Sequence, residues 1–530
     1  MSSARRLNID YVHRFESLAR FFAGDPASAE AWRQSIARAQ HHPRARDELV
    51  AVLLAQQASR ETPAAAREAA RALTDPTSIA IVTGQQAGLF GGPLYTLIKA
   101  LATVRLAEQV TRQHGVPAVP LFWIDADDHD WDEVSDCQVL DRELVPQRVA
   151  VPKPDGGGTL PVASVALPPA VSTAIEALGL HLSPTDFTDA LLADLAAIYR
   201  PGVGMAAAFG QWLDRLLGPH GLVVFDAADP AAKPLAQGVF ERELETMGRT
   251  ADLAARAGEA LETLGYQAQV APQRGQPALF HVGHARLPIR RRDDTLTIGE
   301  TIHSKADLLN EIRNTPARFS PNVLLRPIVQ DTLFPTAAYV AGPSELVYLG
   351  QLRDIYAHFD VPMPLIVPRP SVTILDSAAT RFLARHALKL DELRARDEAR
   401  LNRLLEGQLP TAVEEGFVHA SAALQDRLTE LIRAVPAIDP TLEGAARTTL
   451  TKMDRELQTL RAKVIQAAKR RDETLRRQFT RTRAQAFPDG QLQERALGFV
   501  YFLNRYGPAL VDQLRTDLPL ETSHHWVLTP

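Results

Sequence analysis

The chain has 530 residues, a formal net charge of −5, 45% hydrophobic and 23% charged residues, and one cysteine. That length allows two to four domains at roughly 100–200 residues each, and the balance of apolar and charged residues excludes a mainly disordered chain. A single cysteine excludes an intramolecular disulfide, a cysteine-built zinc cluster and a CxxC redox pair. The near-neutral charge argues against a nucleic-acid protein held by a bulk basic surface.

The first residues carry no apolar core of the signal-peptide kind, and no run approaches the roughly 18 apolar residues of a membrane span. A cytoplasmic chain with no membrane or nucleic-acid partner is expected. Only eight of the 58 Lys and Arg residues are lysines, which makes each lysine conspicuous.

Residues 1–73 place apolar positions at helical spacing and predict two or three helices. Residues 78–84, SIAIVTG, predict a buried strand that stops at glycine. A glycine-rich loop leads into a helix from about Pro93 to Gln113. Its apolar stripe is Leu94, Leu97, Ile98, Leu101, Val104 and Val110. Pro93 suits a first helical position. Val119–Ile124 predicts a second strand, so the three elements form a βαβ unit and favour a parallel sheet.

Residues 152–202 open on PKPDGGGTLP and become mostly helical, which reads as an insertion. Gly221–Asp226 predicts another strand and residues 230–264 predict helix. Residues 267–300 read as short β segments with a turn at Asp293–Asp294. Residues 323–341 read as strands broken by Pro327 and Pro335. A helix is expected from near Pro343 to about His358, then a last strand at 364–368.

From Ser377 to Phe487 long Arg/Glu/Leu-rich helices replace the strands. Leu450, Met453, Leu457, Leu460, Val464 and Ala467 are spaced 3-4-3-4-3, an a/d seam. It predicts a helical hairpin or short coiled coil, or a helix packed on its own domain. The expected fold class is α/β: a parallel-sheet core over 1–376 with insertions at about 152–202 and 267–320, a helical domain over 377–487, and a segment 488–530 packing back on the core.

Four segments hold candidate chemistry. Thr83, Gly84, Gln85, Gln86, Gly88, Gly91, Gly92 and Tyr95 surround a strand-to-helix loop whose backbone amides and helix N-terminus suit an anion. The alternative is a tight turn. Lys99, two turns into the helix, reads as a snorkelling surface lysine. The second segment, Asp125–Asp136, puts seven acids in twelve residues beyond the end of a strand. Ligands bind there in open α/β sheets. Asp128, His129 and Asp130 could act as acid and base or hold a metal. A solvated loop with helix caps is the alternative. In the third, Arg318, Ser320, Asn322 and Arg326 interrupt an apolar stretch, as ligand contacts or as structural hydrogen bonds. The fourth places Gly342 at a helix start, an anion site or a cap. Cys137 has acidic neighbours that suppress its thiolate, so no nucleophilic role is expected.

TGQQAGLFGGPLYTLIKA and PLFWIDADDHDWDEV closely resemble the hallmark pair of a known family. RFSPNVLLRPIVQDTLFPTAAYVAGPSELVYL, PLIVPRPS and FPDGQLQERALGFVYFLNRYG resemble its later blocks, in order. The family is the cysteine ligases of bacillithiol biosynthesis, the BshC family. The resemblance covers nearly the whole chain. It departs at Gly91 where Thr is expected, at Asp127 where Glu is expected, and at Ala341 and Ser344 where glycines are expected.

The resemblance implies a Rossmann-like core with connecting-peptide insertions and a coiled-coil domain through which the chain forms a homodimer. It implies ligation of cysteine to the amine of glucosaminyl malate. ATP activation of the cysteine carboxylate follows by analogy with class I activating enzymes, with Mg2+ allowed and no zinc expected. Asp128, His129 and Asp130 would then serve the amine, and Arg318, Asn322 and Arg326 the malate carboxylates or phosphate. Two other classes remain open: a metal-dependent hydrolase built on the acidic loop, and a non-enzymatic nucleotide-binding coiled-coil assembly protein.

Overall fold

The computed structural model describes residues 3–293, 295–395, 398–406, 411–471 and 473–530. They form two compact units, one of residues up to Thr373 together with Gln493–Leu528, the other of Ile374–Leu492.

The first unit is built on five parallel strands: β1 (Ile79–Gln85), β2 (Ala118–Ile124), β3 (Val223–Asp226), β4 (Thr336–Ala341) and β5 (Leu365–Pro368). Their order across the sheet is β5-β4-β1-β2-β3. β1 and β4 are buried at nearly every position, as expected of strands covered on both faces. The helix Leu94–His114 joins β1 to β2 and stops where Gly115 turns left-handed at φ 67°. The chain runs outward from β1 to β3, then returns to the other side of β1 with β4. The strand order therefore reverses between β1 and β4, the place where open α/β sheets bind ligands.

A ring cluster packs one face of the sheet. Trp123 and Phe334 each lie against Phe225, with the closer centroids 5.1 Å apart in both pairs. Within the 267–320 insertion, a second sheet orders Phe319–Pro321, Leu279–Val282, Arg286–Arg292, Thr295–Ile298 and Thr301–His303 antiparallel. Asp294 of the expected turn lies outside the described residues. The 152–202 insertion carries the helices Ala170–His181 and Thr188–Ile198. Residues Gln493–Leu528 belong to this unit. Leu497 O accepts from Leu94 N at 2.8 Å, and Phe499 N donates to Gly92 O at 3.1 Å.

Three local expectations are corrected. The N-terminal stretch holds four α-helices, Ser3–His13, Ala29–His41, Arg46–Ser59 and Ala64–Ala72. Arg326–Leu333 is a helix, not a strand, because Pro327 sits in its first turn where it costs no hydrogen bond. The helix expected over Pro343–His358 is two, Pro343–Leu349 and Arg353–Phe359, parted at Gly350.

The second unit is helical among its described residues. Its core gathers Leu375, Phe382, Leu393, Leu401, Leu475 and Phe479. Thr411–Ala434 packs beside Leu442–Arg471. Along the seam Leu450, Leu457 and Val464 are half-buried, while Met453 and Leu460 are 45% and 52% exposed. No helix among the described residues is long and apolar enough to cross a membrane.

Candidate functional site

A cleft of about 530 Å³ opens at the carboxyl ends of β1, β2 and β4, at the point where the strand order reverses. Of the residues singled out from sequence, Gly84, Gln85, Gln86, Tyr95, Asp128, His129, Asn322, Arg326 and Gly342 line it. That size falls within the range of small-molecule sites.

The floor is an ion pair. Lys99, 1% exposed, donates to Glu345 Oε2 at 2.6 Å, to Gly84 O at 2.5 Å and to Gln85 Oε1 at 3.4 Å. The expectation of a surface lysine is thus overturned: its helix runs beneath the loop and aims the ammonium at the strand end. Burial lowers the Lys99 pKa against the pull of Glu345. Burial also works to raise Glu345, but the Lys99 charge and hydrogen bonds from Lys99, Gly342 N and Tyr339 outweigh it.

Arg326 is buried and donates to Gln330 Oε1 and Tyr348 Oη, both at 3.0 Å. Its Nε lies 3.8 Å from Asp125. Asn322 Oδ1 accepts from Leu324 N and Leu325 N at 2.9 and 3.2 Å, which starts the helix that carries Arg326. Burial pushes the Asp125 pKa up to about 6, aided by Asp128 and Asp127 and opposed by Arg326 and Arg286.

Asp128 accepts from Gln86 Nε2 at 3.0 Å and from His129 N at 2.8 Å. Arg286, from the antiparallel sheet, reaches His129 Nδ1 at 3.2 Å. On the remaining wall, Arg369 and Arg495 lie over the Tyr95 ring at 5.5 and 5.9 Å. Arg369 is held by Glu494 through both terminal nitrogens at 2.7 and 3.0 Å. Arg495 is exposed and has no hydrogen bond or ion pair among the described residues.

Seven expected site residues lie elsewhere. Thr83 is buried and its hydroxyl donates to Val340 O at 2.9 Å, joining β1 to β4. Gly88, Gly91 and Gly92 shape a tight turn. A Cβ on Gly88 would fall 2.8 Å from Gly92 Cα, and one on Gly91, at φ 99°, would fall 2.0 Å from Phe499 Cζ. Asp130 accepts from Glu133 N at 3.2 Å and caps the short helix Trp131–Val134. Arg318 pairs with Glu311 at 2.7 Å on the surface. Ser320 is buried behind the cleft wall and accepts from Arg286 Nε at 3.1 Å.

The acidic loop is likewise divided among partners. Lys233, nearly buried, grips both oxygens of Asp127 at 2.6 and 2.8 Å. Asp132 pairs with Lys153 at 2.8 Å and Asp136 with Arg148 at 3.0 Å. Among the described residues no three His, Cys, Asp or Glu side chains converge as a metal set. Cys137 is buried, which pushes its thiol up to about 12.

Sequence reasoning missed Lys99, Arg286, Arg369, Arg495, Tyr339 and Tyr348. The scarcity of lysine was a usable signal for Lys99. Nothing in the chain around Arg286 distinguishes it from the other arginines, whereas Arg495 lies in the block FPDGQLQERALGFVYFLNRYG that resembles the family.

Comparison with known proteins follows the same architecture. Residues 1–370 match the family described as Bacillithiol biosynthesis BshC, N-terminal Rossmann-like domain. Residues 372–530 match Bacillithiol biosynthesis BshC, C-terminal coiled-coil domain. A protein of Salinibacter ruber, named as a candidate cysteine ligase BshC, is 36% identical over 528 residues, covering 98% of this chain and 96% of its own. Similarly named proteins of Symbiobacterium thermophilum and Solibacter usitatus are 33% and 30% identical. The first covers 86% of this chain and 85% of its own, the second 100% and 98%.

Proposed function

The chain belongs to the bacillithiol biosynthesis BshC family, and from that premise we propose that it is a ligase joining the carboxyl of cysteine to the amine of glucosaminyl malate. ATP, when bound, supplies the activation that amide formation from a free carboxylate lacks in water. Mg2+ would come with the phosphates of ATP, since Asp127, Asp132 and Asp136 of the acidic loop are paired with Lys233, Lys153 and Arg148.

The observation that carries this reading is the division of the cleft's cations. Lys99, Arg286, Arg326 and Arg369 already hold protein acceptors and set the shape of the walls. Arg495 alone among the described cleft cations has all its donors unengaged. Its guanidinium matches a carboxylate or phosphate in two-point fashion, and both occur on the proposed substrates. The Asp128–His129 pair lines the same cleft and would serve the amine.

A metal-dependent hydrolase would need the acidic loop to gather its carboxylates, and the pairing of Asp127, Asp132 and Asp136 with Lys233, Lys153 and Arg148 disfavours it. We propose that the helical unit forms a homodimer through the seam bearing Met453 and Leu460.

The test is incubation of the protein with cysteine, glucosaminyl malate, ATP and Mg2+, followed by mass detection of bacillithiol and of AMP or ADP. Formation of bacillithiol with one nucleotide product per amide supports the ligase. Nucleotide-independent turnover of any substrate contradicts it, as does binding of ATP with no product.

A further inference from the structure

His129 is the residue on which an acid–base reading of the cleft rests, and the side chain facing its Nδ1 is Arg286 at 3.2 Å. A guanidinium has only donors and does not lose its proton in proteins. In that contact Nδ1 can only accept. A proton on Nδ1 would set two N–H groups against each other, one of them on a guanidinium that is itself buried.

Arg286 is not free to withdraw. Its Nε donates to Ser320 Oγ at 3.1 Å and its Nη2 to Pro321 O at 2.9 Å. Its guanidinium carbon lies 3.7 Å from the centre of the Phe280 ring, a stacking that arginine favours. Asp128 Oδ1 comes within 3.4 Å of His129 Nδ1. That oxygen already takes the His129 backbone N–H at 2.8 Å and faces Arg286 Nη1 at 3.5 Å.

We infer that Arg286 is a positioning residue that fixes the ring proton of His129 on Nε2, so that His129 meets the substrate as a hydrogen-bond donor and not as a proton acceptor. This rests on the ligase reading of the cleft. Uptake of the amine proton then falls to a carboxylate, and Asp128 is the one in contact with His129. The insertion that carries Arg286 thereby acts on the chemistry through a cleft-wall residue that orients a neighbouring side chain.

The experiment has two arms. In the full-length protein labelled with 15N-histidine, long-range proton–nitrogen correlation spectra report which ring nitrogen of His129 carries the proton, with its signals identified by their loss in His129→Gln. Wild type should show an unprotonated Nδ1 and a protonated Nε2. Arg286→Met, which keeps an apolar stem against Phe280, should show a mixture of the two tautomers. A protonated Nδ1 in wild type, or no change in Arg286→Met, overturns the inference.

The second arm is turnover. A glutamine amide can donate near the Nε2 position but cannot take up a proton. His129→Gln should therefore retain at least tenfold more activity than His129→Ala, with both variants matching wild type in thermal unfolding. Equal loss in the two overturns the inference. The spectra do not depend on turnover, so absence of ligation by wild type would refute the ligase reading and leave the tautomer decided.

Discussion

Lys99 and Glu345 meet at 2.6 Å beneath the cleft, one from the helix after β1 and the other from the helix after β4. The two helices flank the point where the strand order reverses, so this ion pair ties the two halves of the sheet at the site itself. Lys99 is buried but Glu345 is 23% exposed at the cleft, so loss of the ammonium costs about 1–3 kcal/mol, less than in a fully buried pair. Lys99→Met should lower the unfolding free energy by about that amount in denaturant titrations. Lys99→Met with Glu345→Gln should recover much of the loss, because the neutral amide can accept from Gly342 N through its oxygen and donate to Tyr339 Oη through its NH2. A double variant no more stable than Lys99→Met contradicts the pairing.

Arg495 provides the opposite case. It contributes no described bond to the fold, so Arg495→Ala should change stability by less than about 0.5 kcal/mol. In the ligation assay the same substitution should raise KM for glucosaminyl malate or for ATP by about tenfold or more, with kcat changed far less. A loss confined to kcat would place Arg495 outside substrate binding.

The turn after β1 depends on Gly91, where φ is 99° and Phe499 fills the space a side chain would need. Backbone strain of about 1–3 kcal/mol and overpacking of similar size add there. Gly91→Ala should destabilise the protein by about 2–6 kcal/mol, and Phe499→Ala in the same chain should relieve part of it. The threonine expected from the family pattern is excluded here by that ring. A Gly91→Ala protein with an unchanged unfolding midpoint would contradict this packing.

Asp125 gives the pH dependence a sign. Its pKa rises from the ordinary 3.8 to about 6 on folding, mainly through burial, so the folded protein binds the proton more tightly than the unfolded one. The stabilisation is fully present below pH 3.8 and is lost as pH rises through about 6. Asp125→Asn removes that loss. The Asp125 side chain is 34% exposed, so solvent screens part of the effect; the unfolding temperature of the variant should exceed that of wild type by about 1 °C at pH 7, and the gap should close as pH falls toward 4. A gap independent of pH would contradict the shift.

The parallel sheet was legible because β1 and β2 are unbroken apolar runs parted by a helix with a clean stripe. The helix over Arg326–Leu333 was not, because its apolar positions cannot be told from a buried strand and Pro327 reads as a breaker unless it is placed in the first turn. The site was half legible. Gln85, Gln86, Asp128 and His129 stand out as polar residues at strand ends, and they do line the cleft. Arg286 and Arg495 arrive from distant segments, and only the folded chain brings them there. Gly88 and Gly91 mislead because a glycine needed for close packing and one needed for a ligand look alike in sequence.

In the proposed reaction ATP activates the cysteine carboxylate and the sugar amine then takes the acyl group. The most direct measurement uses cysteine labelled with 18O in both carboxyl oxygens, with glucosaminyl malate, ATP and Mg2+, and mass analysis of every product. One 18O should be retained in the bacillithiol amide and one transferred to AMP or to inorganic phosphate, in equal amounts. Bacillithiol formed with no 18O in any phosphorus-containing product would contradict it.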